Sequence, residues 1–174
     1  MPALNQVKLS VRSDWQELQR MACALYQRIW KDEDIQGFGS QGQRRNGVDI
    51  FGSIRGTKKL GGVQCKCVSS FSEEELETEY REALTFTPKL SKYVIVTTPK
   101  RDTAVQRKST VLSQEGGLRC TVMFWEEFSS LLAAEKDLLR RFFSECVKHL
   151  RTPWRSCWKL SRMAHRAENS DSRL

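Results

Sequence analysis

Gly47-Val48-Asp49-Ile50 and, past a glycine-rich turn, Val63-Gln64-Cys65-Lys66 are the stretches that decide how this chain folds. They read as two strands of a hairpin, over 48–54 and 62–68, with the turn glycines and the basic pair Lys58-Lys59 in 55–61. Strand side chains alternate between faces, so Gln64 and Lys66 point one way and Val63, Cys65 and Cys67 the other. One face reads as a cleft and the other as core, with Asp49 at the end of the neighbouring strand.

An acid, an amide and a lysine so arranged have a definite chemistry open to them. Asp49 offers a charged oxygen to a hard cation and the Gln64 side-chain carbonyl a neutral one, with backbone carbonyls or water completing the set. Lys66 is then placed to orient or deprotonate an attacking water, or to balance charge on a phosphate. A solvated hairpin carrying one acid and one lysine on its polar side accounts for the same residues without any chemistry.

The segments on either side extend the hairpin into a domain. Trp15, Leu18, Ala22, Leu25, Tyr26 and Ile29 recur at helical spacing behind Ser13 or Asp14 as N-cap, and the stretch 37–46 reads as a loop leading into the hairpin. Ser72 followed by Glu73, Glu74 and Glu75 starts a helix that runs to about Phe86, ahead of Pro88; acids there suit the helix dipole and need no ligand. Residues 93–98 and 119–124 are short apolar runs of the kind expected of buried strands. Between them 102–114 forms a helix closed by Gly116-Gly117, and a further helix begins at Trp125. Alternation of this kind predicts an α/β sandwich with a mixed sheet.

The ordered set of Gly37-Phe38-Gly39-Ser40-Gln41-Gly42-Gln43, Gly47-Val48-Asp49-Ile50 and Val63-Gln64-Cys65-Lys66-Cys67 resembles the PD-(D/E)XK restriction-endonuclease-like superfamily, in particular its Mrr-like nuclease domains. Tyr93-Val94-Ile95-Val96-Thr97-Thr98 with Asp102 and Gln106, and Val122-Met123-Phe124-Trp125-Glu126-Glu127, look like the later part of the same domain as found in bacterial anti-phage effectors. The resemblance covers about residues 14–132. It implies an αβββαβ-type core with a mixed central sheet flanked by helices, and a Mg²⁺- or Mn²⁺-dependent DNA endonuclease, a defence or restriction effector.

Carried onto this chain, the family pattern makes Asp49 and Gln64 metal ligands and Lys66 the residue that handles the water or the transition state. Gln64 stands where Asp or Glu is commoner, which leaves one fewer negative charge for the metal. The family's helical glutamate, as catalytic and metal-binding partner, falls on Glu17 in Trp15-Gln16-Glu17-Leu18, with Gln16 where an aromatic residue is usual. A Gly-Gln element of the family points to Gln41 and Gln43 as cleft wall. Arg44, Arg45, Lys58 and Lys59 are candidate phosphate contacts, positioning DNA without reading its sequence. Thr97, Thr98 and Asp102 match family positions too, yet a strand-end turn and a helix cap explain them equally.

Charge agrees with a polyanionic partner. The 174 residues carry a net charge of +8, with a pI near 9.4, which favours phosphate contacts through counterion release; an anionic membrane surface fits as well. No stretch approaches the roughly 18 apolar residues of a membrane span, residues 1–13 lack the apolar run of a signal peptide, and a cytoplasmic protein with reduced thiols is expected. No P-loop pattern is present, so control is expected to come from a homo-oligomer or a separate regulatory or sensor protein, or to be absent.

Residues 1–132 read as the nuclease domain and 133–174 as a helical, basic extension or tail. In the extension Leu138, Leu139, Phe142, Phe143, Cys146, Val147 and Leu150 form an apolar stripe that must pack on something, and Trp154 and Trp158 stand among arginines and lysines. Zinc binding by Cys146, His149, Cys157 and His165 fits no common spacing. Competing functional readings are a non-catalytic nucleic-acid-binding or interaction module of the same fold, an RNA-directed nuclease, and a membrane-acting effector using the tail.

Overall fold

A computed structural model describes residues 14–38 and 46–144, with the side chain of Gln36 left out. Asp14 caps the first helix, its carboxylate accepting from the Gln16 amide (2.8 Å), and α1 runs Trp15–Trp30 until Lys31 turns left-handed at φ 52°. β1 (Gln36–Gly37), β2 (Ile50–Ser53) and β3 (Leu60–Lys66) follow, then α2 (Glu73–Leu84). β4 (Lys92–Thr97), α3 (Thr103–Gly116), β5 (Arg119–Phe124), α4 (Trp125–Ala134) and α5 (Lys136–Phe142) complete the chain as described. The opening αβββαβ order is the one the sequence resemblance implied.

The five strands lie in the order β1-β2-β3-β4-β5, antiparallel from β1 to β3 and parallel from β3 to β5. Helices cover both faces. On one face α1, α4 and α5 pack Leu18, Met21, Leu25, Trp30, Phe128 and Leu132 against Val63, Val94, Val96 and Met123. On the other, α2 and α3 pack Leu76, Tyr80, Val105 and Leu112 against Tyr93, Ile95, Val122 and Phe124. Each such side chain, fully buried, stabilises the fold by ~1.5–3 kcal/mol.

Local rules explain most boundaries. Ser72 and Glu75 form a reciprocal capping box at the start of α2. Asp102 accepts from the amides of Ala104 and Val105 to start α3, and Gly117 ends it at φ 70°, a conformation that favours glycine. Two expectations change. Gly37, read as the start of a loop, is instead the second residue of the two-residue β1, which pairs with Phe51 and Ile50. It was hidden because so short an edge strand has no apolar alternation to display.

The second change concerns the hairpin. Val63, Cys65 and Cys67 do pack into the core on the α1 side. The opposite face is not an open cleft, since β3 is the central strand and α2 and α3 cover it. Gly61 and Gly62 make the double cover possible: an added Cβ would lie 2.5 Å from the Trp30 ring on one side and 2.7 Å from Leu90 on the other. The apolar stripe read beyond residue 133 is described as far as Phe143; there Leu138, Leu139 and Phe143 are buried in the same core as α1. Residues 133–143 are thus built into the sandwich. Cys146, His149, Leu150 and the Trp/Arg segment lie outside the described residues.

Candidate active site

The carboxyl end of β3 is where the candidate residues meet. Asp49 sits one residue before β2 and is 5% exposed. Its amide donates to the Val63 carbonyl (2.9 Å), and its carbonyl accepts from the Phe38 amide (2.6 Å) and the Gln19 side chain (3.2 Å). One carboxylate oxygen, Oδ2, accepts from the Cys65 amide at 2.9 Å. The acid is therefore held across from Gln64 and Cys65 by the backbone of β3 itself.

The loop that delivers Asp49 is fixed from the other side of the sheet. Gly47 has φ 66°, and a Cβ there would lie 3.1 Å from the Glu79 carbonyl, so the chain rests directly on α2. The buried Tyr93 hydroxyl donates to the Gly47 carbonyl at 2.7 Å. Burial, then the nearby carboxylates including Glu79 and Asp49, pushes the Tyr93 phenol well above its usual range, so it acts as a donor.

Gln64 and Lys66 follow at i and i+2 on the α2 side. Gln64 Oε1 is buried and accepts no hydrogen bond. That is the arrangement an additional ligand would complete, because a buried carbonyl without a partner costs about 1–3 kcal/mol. Lys66 pairs through its ammonium with Glu79 of α2, a carboxylate only 12% exposed. Together they border a pocket of about 260 Å³ lined also by Phe71, Glu74, Glu75 and Thr78.

The strand ends here are clamped. Thr97 donates to the Lys66 carbonyl (3.1 Å), while the Thr98 hydroxyl donates to the Val68 carbonyl (2.5 Å) and accepts from the Val68 amide (2.9 Å). Both threonines are buried, so their work is to hold the main chain of β3 against β4. Asp102 is occupied as the N-cap of α3.

The other candidates are not all brought to this end. Glu17 lies half-buried in the first turn of α1, two residues before Gln19, whose amide reaches the Asp49 carbonyl. Lys58 and Lys59 are exposed at the far end of the hairpin. Six residue steps along β3 separate that end from Lys66, about 20 Å. Gln41, Gln43, Arg44 and Arg45 lie outside the described residues. Among the described residues no three His, Cys, Asp or Glu side chains are grouped as a metal cluster, so a cation here would depend on Gln64, backbone or water oxygens.

Glu79 is the residue that sequence reasoning missed. It stands three residues after the buried Leu76 on a helix whose buried positions are Leu76, Tyr80 and Ala83, which puts a carboxylate at the edge of the inward face. That was the available signal. The described cysteines are in the thiol form, and burial raises the pKa of all four, Cys120 to about 12, which leaves them poor nucleophiles.

No protein-family model matches the chain, and no curated protein matches it. Among solved structures, the MspJI restriction endonuclease in complex with a 27-mer oligonucleotide is similar at 15% identity, over 74% of this chain and 32% of that one, with a TM-score of 0.47. The chain spans about a third of that protein's length. No described helix is long and apolar enough to cross a membrane.

Proposed function

We propose that the chain is a divalent-metal-dependent endonuclease that hydrolyses DNA phosphodiester bonds at the carboxyl end of β3, as a restriction or anti-phage effector. The observation that carries this reading is the buried, unpartnered Gln64 Oε1 across from Asp49, with Lys66 two residues on from Gln64. In this reading Asp49 and Gln64 hold Mg²⁺ or Mn²⁺, with Glu17 as a third contributor. The bound cation supplies Lewis acidity and an activated water.

The protein's own groups do the remaining work. The Cys65 amide orients the Asp49 carboxylate. Lys66 sets a positive charge beside the phosphate, where it offsets the charge that develops on the non-bridging oxygens. Glu79 holds that ammonium in place between turnovers. The Thr97 and Thr98 clamps keep the Lys66 main chain from shifting, and a displacement of 1 Å at such a site costs about 100-fold in rate.

The net charge of +8 supports a polyanionic substrate. The test is loss of supercoiled plasmid in Mg²⁺, with EDTA and Lys66→Ala as paired controls. Cleavage that both controls abolish is the expected result; cleavage that Lys66→Ala leaves intact would overturn the assignment. A competing reading, a nucleic-acid-binding module of the same fold that does not cut, is favoured by Gln64 standing in place of a carboxylate and predicts binding without turnover. The same assay on a matched RNA distinguishes an RNA-directed nuclease.

A further inference from the structure

A second group of cations gathers at the other end of the sheet, from three separate stretches of sequence. Lys92 opens β4, Arg119 opens β5, and the parallel register sets them side by side. In-register residues of neighbouring strands are about 4.8 Å apart and share a face. By alternation that is the face to which Val94, Val96 and Met123 contribute, the α1 side. Arg55 joins from the β2–β3 turn, its backbone held at φ 50° by an amide hydrogen bond to the Trp30 carbonyl (2.6 Å).

The three charges act on one another. Burial first, then the Arg119 and Arg55 guanidinium groups, hold the Lys92 ammonium below its usual range. No described carboxylate forms an ion pair with any of them; the ion pairs of the described residues use Arg20, Arg28, Lys66, Arg81 and Lys108 instead. Lys58 and Lys59 add exposed charge in the same turn as Arg55. Like charges in register weaken a sheet, and the half-buried Lys92 adds a desolvation cost. Cations that repel one another in the free protein are relieved of that repulsion once an anion lies among them.

We propose that Arg55, Lys92 and Arg119 form a phosphate-binding site distinct from the Asp49 end. Its ligand is a phosphate group, either in a nucleic-acid backbone or as a free anion. The site does not rest on the nuclease reading, for it lies about 20 Å along β3 from Lys66 and on the opposite face of the sheet. Its role in a nucleic-acid complex is anchorage, adding affinity without sequence information.

The test is a titration of the full chain in EDTA, so that its result is independent of any hydrolysis at the other end. Two probes are used: inorganic phosphate followed by amide chemical shifts, and a 20-base-pair DNA duplex followed by fluorescence anisotropy at several salt concentrations. The variants are Lys92→Met with Arg119→Gln, and separately Arg55→Ala, whose exposed turn position leaves the sheet untouched. Phosphate-induced shifts at residues 55, 92 and 119 that vanish in the variants identify a site for the free anion. A drop of about 0.9 in the salt-dependence slope for each phosphate-binding cation removed identifies the nucleic-acid backbone as the source. Folded variants that match the parent with both probes would overturn the proposal.

Discussion

The two ends of the central sheet hold their cations in opposite ways. At the carboxyl end of β3, Lys66 is tied to Glu79, and Asp49 to the Cys65 amide. At the other end Lys92 and Arg119 lie in register, with Arg55 in the neighbouring turn, and no described carboxylate forms an ion pair with any of them. A partnered charge is fixed in position and contributes little field at a distance, which suits a group that must meet one reacting atom. Unpartnered charges give attraction without precision. On the proposed reading, the difference separates a place suited to chemistry from one suited to anchorage.

Breaking the chemical end gives the largest expected effect. Lys66→Ala should lower plasmid cleavage in Mg²⁺ by about 100-fold or more, the usual cost of losing an electrostatic contact to a transition state. Circular dichroism should show the fold intact, because Lys66 lies at the strand's last residue and is partly exposed. Glu79→Gln should cost about 10-fold, and mainly in kcat, since it removes the group that positions Lys66 and not a substrate contact. An equal loss in KM would assign Glu79 to binding.

Stability variants sharpen the comparison by showing that the strand between the two ends is rigid. Gly61→Ala puts a methyl group 2.5 Å from the Trp30 ring and should destabilise by about 1–3 kcal/mol in urea unfolding. Tyr93→Phe removes the hydroxyl that holds Gly47 and leaves a buried carbonyl unpaired, a cost of about 1–3 kcal/mol. The smallest effect concerns pH. Lys108 and then Arg81 hold the half-buried Glu77 below its ordinary 4.5, so it favours the folded state above that value and loses this contribution as the pH falls through its depressed folded value. Glu77→Gln should slightly lower stability at neutral pH and leave it unchanged at the most acid pH, which flattens the acid limb of a stability profile.

Much of this fold was legible in the sequence. The strand at 119–124 coincides with β5, and the caps at Asp14, Ser72, Asp102 and Gly117 fall where side-chain chemistry requires them. Short-range signals mark such features. What the sequence concealed depends on long-range contacts. β1 has only two residues, and its pairing is specified by Phe51 and Ile50. The hairpin's polar face read as a cleft because the last four residues of β3 alternate, yet Leu90 and α2 cover it.

Within the candidate site the same distinction holds. Asp49, Gln64 and Lys66 were visible as strand neighbours, and the observed register does bring them to one end of β3. Their roles are part of the proposal. Glu79 was missed because its tie to Lys66 spans thirteen positions and crosses from strand to helix. Lys58 and Lys59 were read at the hairpin tip and lie there, about 20 Å along β3 from Lys66. The cluster of Arg55, Lys92 and Arg119 had no local signature, being assembled by the β4–β5 register and by the turn that brings in Arg55.

The most direct test of the central claim is single-turnover cleavage of a labelled DNA duplex by the parent and by Asp49→Ala, at protein concentrations that saturate binding for both. The account predicts that Asp49→Ala still binds duplex but cuts it at least 100-fold more slowly in Mg²⁺. Equal cleavage rates for the two proteins would contradict it.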